Sequence, residues 1–125
     1  MKVKCIKLLK ADGKEVEFSP SLTLGKEYHV LSISYDSYGK LYYRIVTSER
    51  EGKWPHMSLH SEKCFELVTT FVPSSWHLKI YQNKGFSIGP KTWINSSFYE
   101  NFYDGEPSAL HTFYEEYKKI LSEEP

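Results

Sequence analysis

Two histidines and a cysteine come closest to a chemical motif in this chain. His56, His60 and Cys64 follow one another at intervals of four residues. Imidazole and thiolate are zinc ligands, but they must converge on one point. A helix would bring these three side chains to one side, yet Pro55 and the β-rich surroundings argue against a helix there. We therefore predict no metal ligands, and we expect loop histidines beside a core cysteine.

The other catalytic combinations are incomplete as well. A cysteine beside a histidine can form a nucleophile pair, but nothing marks Cys5 or Cys64 as activated. Tyr114 and Lys118 have the spacing seen in short-chain dehydrogenases, yet the glycine-rich dinucleotide motif is missing from these 125 residues. Zinc-protease, nucleophile-elbow and phosphate-loop motifs are also missing. We predict no catalytic residues, no cofactor and a protein that is not an enzyme.

The N-terminal residues and the two cysteines indicate a compartment. Residues 1–10 alternate apolar and charged side chains, whereas a signal peptide needs an unbroken apolar stretch. No apolar run is long enough for a membrane span. We predict a cytoplasmic protein that uses no membrane, with Cys5 and Cys64 as free thiols. Whether the two cysteines lie close together is left open at this stage.

Strand patterns dominate the first two-thirds of the chain. Val3, Cys5 and Leu9 lie on one side of a period-two pattern. Further β-rich segments cover 27–35, 41–46, 64–71 and 76–81, with turn residues at 36–39 and 82–85. We predict an α+β fold of mostly antiparallel β structure within a single domain, 1–125. A small SH3-like barrel or bent sheet should occupy 1–72, and a hairpin with two C-terminal helices should occupy 73–125.

Helical signals begin after residue 94. Candidate N-caps at Asn95, Ser96 and Ser97 precede one helix, and Asp104 or Gly105 is expected to cap a second with Pro107 in its first turn. Apolar residues then recur at helical spacing. The stripe consists of Leu110, Phe113, Tyr114, Tyr117, Ile120 and Leu121. We expect Leu110, Phe113, Tyr117 and Ile120 to face the sheet.

The neutral total charge hides an uneven distribution. Residues 1–95 contain 14 Lys and Arg against 9 Asp and Glu, whereas residues 96–125 contain 2 against 7. In the acidic part, carboxylates alternate with aromatic rings, a combination that suits a basic protein partner. The candidate partner-binding residues are Tyr99, Glu100, Tyr103, Asp104 and Glu106. The alternative is an ordinary solvated helix face, with acidic residues favouring a helix N-terminus.

The basic part supports a different class of function. Lys2, Lys4 and Lys10 share one side of the first strand, and tyrosines are frequent between Tyr35 and Tyr43. Lysine with aromatic residues can bind nucleic acid, although lysines on an edge strand also protect against aggregation. An SH3-like nucleic-acid-binding module is therefore the alternative function. A small metalloprotein or enzyme at His56, His60 and Cys64 is the third.

Several segments in order resemble a known class of small bacterial proteins. The matching segments are 22–31 (LTLGKEYHVL), 43–45 (YRI), 64–68 (CFELV), 73–76 (PSSW), 90–93 (PKTW) and 98–107 (FYENFYDGEP), followed by Ala109 and Phe113. Together they resemble immunity proteins of contact-dependent growth inhibition and related toxin systems. The resemblance covers roughly residues 20–120.

The resemblance implies a cytoplasmic protein that binds one cognate toxin C-terminal domain, often a nuclease, and neutralises it. It carries over no catalytic residue, because the family role is binding. It carries over no contact residue either, because immunity proteins recognise their toxins through varied surfaces. The acidic C-terminal segment fits a nuclease, whose cleft is basic because its substrate is anionic.

Overall fold

The computed structural model describes residues 1–94 and 97–125. Within these ranges the strands are β1 (Lys2–Cys5), β2 (Glu27–His29), β3 (Ser32–Tyr35), β4 (Leu41–Ser48), β5 (His56–Ser61), β6 (Phe65–Thr69), β7 (Trp76–Ile80) and β8 (Phe86–Pro90). The helices are α1 (Lys91–Ile94), α2 (Phe98–Tyr103) and α3 (Pro107–Glu123). Every strand pairing is antiparallel.

The strands form two sheets, and the chain bends where it passes from one sheet to the other. One sheet has the order β2-β1-β6, and the other has the order β5-β4-β3-β8-β7. The chain passes from the first sheet to the second between β2 and β3, through Val30 and Leu31, and returns between β5 and β6 through the short turn Glu62–Cys64. These two bends connect the two sheets within residues 1–72, and the β7–β8 hairpin widens the larger sheet beyond β3.

The larger sheet has a hydrophobic core on each face. The first core lies between the two sheets and includes Val3, Cys5, Val30, Ile45 and Cys64. The second core lies between the larger sheet and the helices. Its buried members are Leu31, Met57, Trp93, Phe98, Phe102, Ala109, Phe113 and Ile120. Both cores depend on the alternation of side chains along β4, where consecutive residues point to opposite faces.

The predicted α+β class, with antiparallel strands followed by a hairpin and C-terminal helices, is confirmed. On α3, Phe113 and Ile120 are buried and Leu110 and Tyr117 pack against the second core, as the helical stripe predicted. The structure adds the short helix α1. The prediction that the segment around His56 and His60 is a loop was wrong, because residues 56–61 form β5 against β4.

The helix starts differ in detail from the expected caps. Ser97 precedes α2 without a side-chain capping bond, and the candidates Asn95 and Ser96 lie outside the described residues. Glu106 is the N-cap of α3, with Pro107 at the first helical position. The expected caps of α3 were Asp104 and Gly105, whose backbones instead complete the turn out of α2.

Candidate protein-binding surface

Residues 100–106, here called the acidic corner, form a tight reversal between α2 and α3. The amide N–H of Asp104 donates to the Glu100 carbonyl at 3.0 Å, and that of Glu106 donates to the Asn101 carbonyl at 3.0 Å. Gly105 adopts a φ of 79°, a left-handed conformation that glycine adopts without the usual steric cost. The backbone bonds therefore hold three carboxylates, those of Glu100, Asp104 and Glu106, within a short rigid segment.

The three carboxylates of the acidic corner are available to a partner. Glu100, Asp104 and Glu106 are all exposed. Within residues 1–94 and 97–125, the ion pairs are Met1 with Glu124 and His111 with Glu115, so none involves the corner. The side chain of Glu106 makes no capping bond. Its charge near the start of α3 also suits the helix dipole.

Arg44 of β4 contacts the two tyrosines of α2, Tyr99 and Tyr103. Its guanidinium carbon lies 3.9 Å from the centre of the Tyr99 ring, within the range of a cation–π contact. Its Nη1 donates to the Tyr103 hydroxyl at 2.7 Å. That hydroxyl in turn donates to the Met57 carbonyl at 2.8 Å. These two hydrogen bonds hold the Tyr103 hydroxyl in place, while 54% of the surface of this residue remains exposed.

The two tyrosines have different surroundings. Burial raises the pKa of Tyr99, whose hydroxyl donates to Ser32 Oγ at 3.3 Å. The Nε of Arg44 is also buried, and it has no hydrogen-bond partner among the described residues. Tyr99 is thus part of the support beneath the surface, whereas Tyr103 is part of the surface itself.

Aromatic packing fixes α2 on the rest of the molecule. Phe98 stacks on Trp93 with ring centres 4.8 Å apart, and Phe102 lies 5.1 Å from Phe113. Trp54, from the loop before β5, contacts Phe102 at 5.4 Å between ring centres. Rings of this size bury large apolar areas and lose little conformational freedom. The acidic corner is therefore attached to a well-packed aromatic core.

The predicted binding residues fall into two groups. Glu100, Tyr103, Asp104 and Glu106 lie together at the exposed corner, and Tyr99 lies half-buried against the Arg44 guanidinium. Sequence reasoning missed Arg44. Arg44 stands out as the single charged residue among the aromatic and β-branched residues of β4. Its partners, however, lie more than fifty residues away along the chain, so the sequence of the strand does not reveal them.

The predicted basic face is divided by the structure. Lys4 lies opposite Glu27 on β2 and opposite Glu66 on β6, so a carboxylate flanks it on each side. Lys2 donates to the Pro125 carbonyl. Lys10 instead lines a groove of about 530 Å³ between the turn after β1 and the strands β4 and β5. The other charged or aromatic residues of this groove are Lys40, Lys63, Tyr42, His60, Asp12 and Glu62.

His56, His60 and Cys64 do not form a metal site. No group of three His, Cys, Asp or Glu side chains in the described part of the chain could hold a metal ion. The ring of His56 bonds to the Thr47 hydroxyl and that of His60 to the Ser58 hydroxyl. Burial lowers the pKa of His60, with a further contribution from His56.

The two cysteines are buried free thiols of the first core. They lie close together, since the N–H of Ile6 donates to the Cys64 carbonyl at 2.8 Å. Burial raises the pKa of both thiols. Because the thiolate is the reactive form, the raised pKa lowers the reactivity of each thiol at neutral pH.

Comparison with protein-family models, with characterised proteins and with solved structures found no match for this chain. No helix in the described ranges combines the length and the apolar character needed to cross a bilayer. The surfaces described above are therefore the basis for a functional proposal.

Proposed function

We propose that this protein is an immunity protein that binds a cognate bacterial toxin domain and occludes its active site. The observation that carries the proposal is the acidic corner, where the exposed Glu100, Asp104 and Glu106 share a short segment with an exposed Tyr103 that Arg44 holds in place. The toxin domain would be a nuclease, since a basic cleft is complementary to this surface. The encounter would take place in the cytoplasm.

The chemistry of the corner fits such a partner. Exposed carboxylates steer a basic cleft toward the correct orientation and accelerate association at low ionic strength. A tyrosine that is already ordered adds contact area with little loss of conformational entropy. Tyr103 has this property, because its hydroxyl bonds to both Arg44 and Met57. The protein would then act by covering the cleft, with no reaction of its own.

The first experiment is co-expression with the neighbouring gene product. A tagged copy of this protein is produced together with the C-terminal domain encoded by the reading frame immediately upstream. Growth is compared with and without this protein, and the complex is purified. We expect a stable 1:1 complex and rescue of growth. Absence of both toxicity and complex formation would overturn the proposal.

A pair of matched variants then tests the surface. The triple variant Glu100→Gln, Asp104→Asn, Glu106→Gln removes three negative charges from the acidic corner. The control Glu17→Gln, Glu51→Gln, Glu66→Gln removes three exposed negative charges elsewhere. We expect the first to slow association by about tenfold at low salt and the control to have little effect. Equal effects of the two variants would show that only net charge matters.

Nucleic-acid binding is the second candidate, on one observation. Lys10, Lys40 and Lys63 line the same groove as Tyr42, which gives a cationic site with an aromatic ring. Asp12 and Glu62 offset part of this charge. Binding of a labelled single-stranded RNA that weakens steeply with salt, and is lost in the variant Lys10→Gln, Lys40→Gln, Lys63→Gln, would support this function. No binding at low salt would eliminate it.

A further inference from the structure

β7 forms an outer edge of the larger sheet and leaves apolar side chains exposed. Leu78 lies opposite Ile88 of β8, which lies opposite Ile33 of β3. Directly paired residues share a sheet face, so this row continues the face that covers the first core. Ile33 packs against that core, whereas Leu78 is 58% exposed and Ile80 is 70% exposed. The first core therefore covers this face at β3 and leaves it open at β7.

The hydrogen-bonding pattern shows which backbone groups of β7 are free. The Tyr81 N–H donates to the Gly85 carbonyl, and the Lys91 N–H donates to the Ser75 carbonyl. In an antiparallel pair, residues that bond to the partner strand alternate with residues whose backbone N–H and C=O groups point away from that strand. Residues 77 and 79 accordingly bond toward β8. Leu78 and Ile80 direct their N–H and C=O groups away from β8, where no described strand pairs with them.

This edge lacks the usual protection against strand pairing. Proteins guard edges with proline, bulges, very short strands, charged side chains or a covering helix or loop. β7 contains no proline, and its pairing with β8 shows no register shift. Its one lysine, Lys79, donates to the Ile94 carbonyl at 3.3 Å and so bends inward. The opposite edge differs, because β5 follows Pro55 and pairs with β4 through an irregularity near Ser48.

We propose that β7 pairs antiparallel with β7 of a second copy of this chain, around a twofold axis at Leu78. A twofold interface requires a self-complementary surface. Trp76 and Ile80 lie at equal distances along the strand on either side of Leu78, so apolar residues meet apolar residues in this register. Leu78 of each copy donates its N–H to the Leu78 carbonyl of the other. The pairing joins two five-stranded sheets into one.

The apolar match across the twofold axis selects a second copy of β7. In this register Trp76 meets Ile80 and Leu78 meets the Leu78 of the other copy. His77 lies opposite Lys79, and the strand contains no carboxylate. A foreign strand with carboxylates opposite His77 and Lys79 is the competing occupant, and with that occupant the isolated wild-type protein would remain monomeric. This interface does not depend on any toxin.

The oligomeric state tests the pairing. Sedimentation equilibrium of the full chain, over a range from low micromolar to near millimolar, should show a monomer–dimer equilibrium. Leu78→Glu places two like charges opposite each other at the axis and should raise the dimer dissociation constant by at least about a hundredfold. The control Leu24→Glu, at a leucine of similar exposure outside any strand, should leave the constant unchanged. Thermal melts verify that both variants fold.

Mixed variants test the register itself. Leu78→Glu mixed with Leu78→Lys should form a heterodimer, because the two positions face each other across the axis. A wild-type protein that remains monomeric at every concentration would overturn the proposal. So would a dimer that persists in Leu78→Glu, one that is lost equally in Leu24→Glu, or a failure of the mixed variants to associate.

Discussion

The two cores of this protein use opposite faces of the same strands, and they differ in composition. The first core, between the sheets, is mostly aliphatic around Val3 and Ile45, with two thiols and the rings of Tyr28 and Phe65. The second core, beneath the helices, is largely a stack of aromatic rings around Trp93 and Phe113. The first joins two sheets whose strands are held by backbone pairing within each sheet. The second attaches helices that have no backbone ladder to the sheet.

This difference determines what each core presents to solvent. A helix docked only by side chains depends on the size and fit of those side chains, so large rings suit the second core. The surface that results is the acidic corner, which α2 and α3 carry. The first core instead supports the basic groove around Lys10. The surfaces beside the two cores thus differ in charge, although Asp12 and Glu62 offset part of the basic charge of the groove.

The largest expected effect comes from truncating the second core. Phe113→Ala removes a fully buried ring that contacts Trp93, Phe102 and Tyr117. We expect a loss of about 3–5 kcal/mol in the free energy of unfolding, measured by urea denaturation. Amide exchange should accelerate in α2 and α3 more than in β1. Equal acceleration in both regions would mean that the two cores unfold as one unit.

The next effect concerns Arg44, which joins the sheet to α2. Arg44→Lys keeps the charge but loses the planar stacking on Tyr99 and the bond to Tyr103. We expect about 1–2 kcal/mol of destabilisation in urea denaturation. Arg50→Lys, in an exposed loop, is the matched control and should change little. Comparable losses of unfolding free energy in the two variants would show that the contacts of Arg44 with α2 do not stabilise the fold.

A smaller effect appears at alkaline pH and should belong to the second core. Burial raises the pKa of Tyr117 well above its ordinary value near 10, and the Glu49 carboxylate raises it further. The unfolded chain ionises first, so this stabilisation is complete below about pH 10 and decreases as the pH rises above it. Absorbance at alkaline pH should show a late-titrating phase that Tyr117→Phe reduces without abolishing, since burial also raises the pKa of Tyr43, Tyr99 and Tyr114. Tyr38→Phe, at an exposed ring, should leave that phase intact.

The smallest effect is at the end of α3, which ties the helical layer to β1. Burial alone would raise the pKa of Glu124, but hydrogen bonds from the Met1 ammonium and Thr69 lower it overall. Hydrogen bonds from Ser74 lower the pKa of Glu123. Depressed values stabilise the fold at pH above the unfolded value near 4.5, and this contribution is lost as the pH falls through the folded values.

We therefore expect the last turn of α3 to fray below about pH 4 while the rest stays folded, as followed by NMR shifts of Leu121 and Ser122. These contacts involve only the two ends of the chain, with 14% of each side chain of the Met1–Glu124 pair exposed, so the global stability should change less than in the variants above. Glu124→Gln should weaken the acid dependence at the chain end. An unchanged last turn between pH 7 and pH 3 would contradict this expectation.

Parts of the fold could be predicted because they repeat locally. The helical spacing from Leu110 to Ile120 indicated α3 and its buried face, and the turn residues before Phe86 indicated the β7–β8 hairpin. β5 was missed, since its His, Ser and Met residues do not have a strong strand pattern. Its pairing with β4 supplies the bonds that its own composition does not indicate.

The acidic corner was visible in the sequence because acidic and aromatic residues are adjacent there. The separation of Tyr99 from Tyr103 was not visible, since it depends on Arg44 from a distant strand. The basic face was predicted from spacing on one strand, but β2 and β6 place Glu27 and Glu66 beside Lys4. Neighbours across a sheet come from elsewhere in the chain, and their charges cannot be read from the strand itself.

The sequence by itself determined the alternation along β4, the helical stripe of α3, the reversal at Gly105 and the uneven charge, because each depends on residues close together in the chain. Only the tertiary structure decided that β2 and β3 belong to different sheets, that Arg44 lies beneath α2 and that β7 remains an open edge. These features depend on which distant segments cover each face. That choice is made by the packing of the whole chain, which no local pattern encodes.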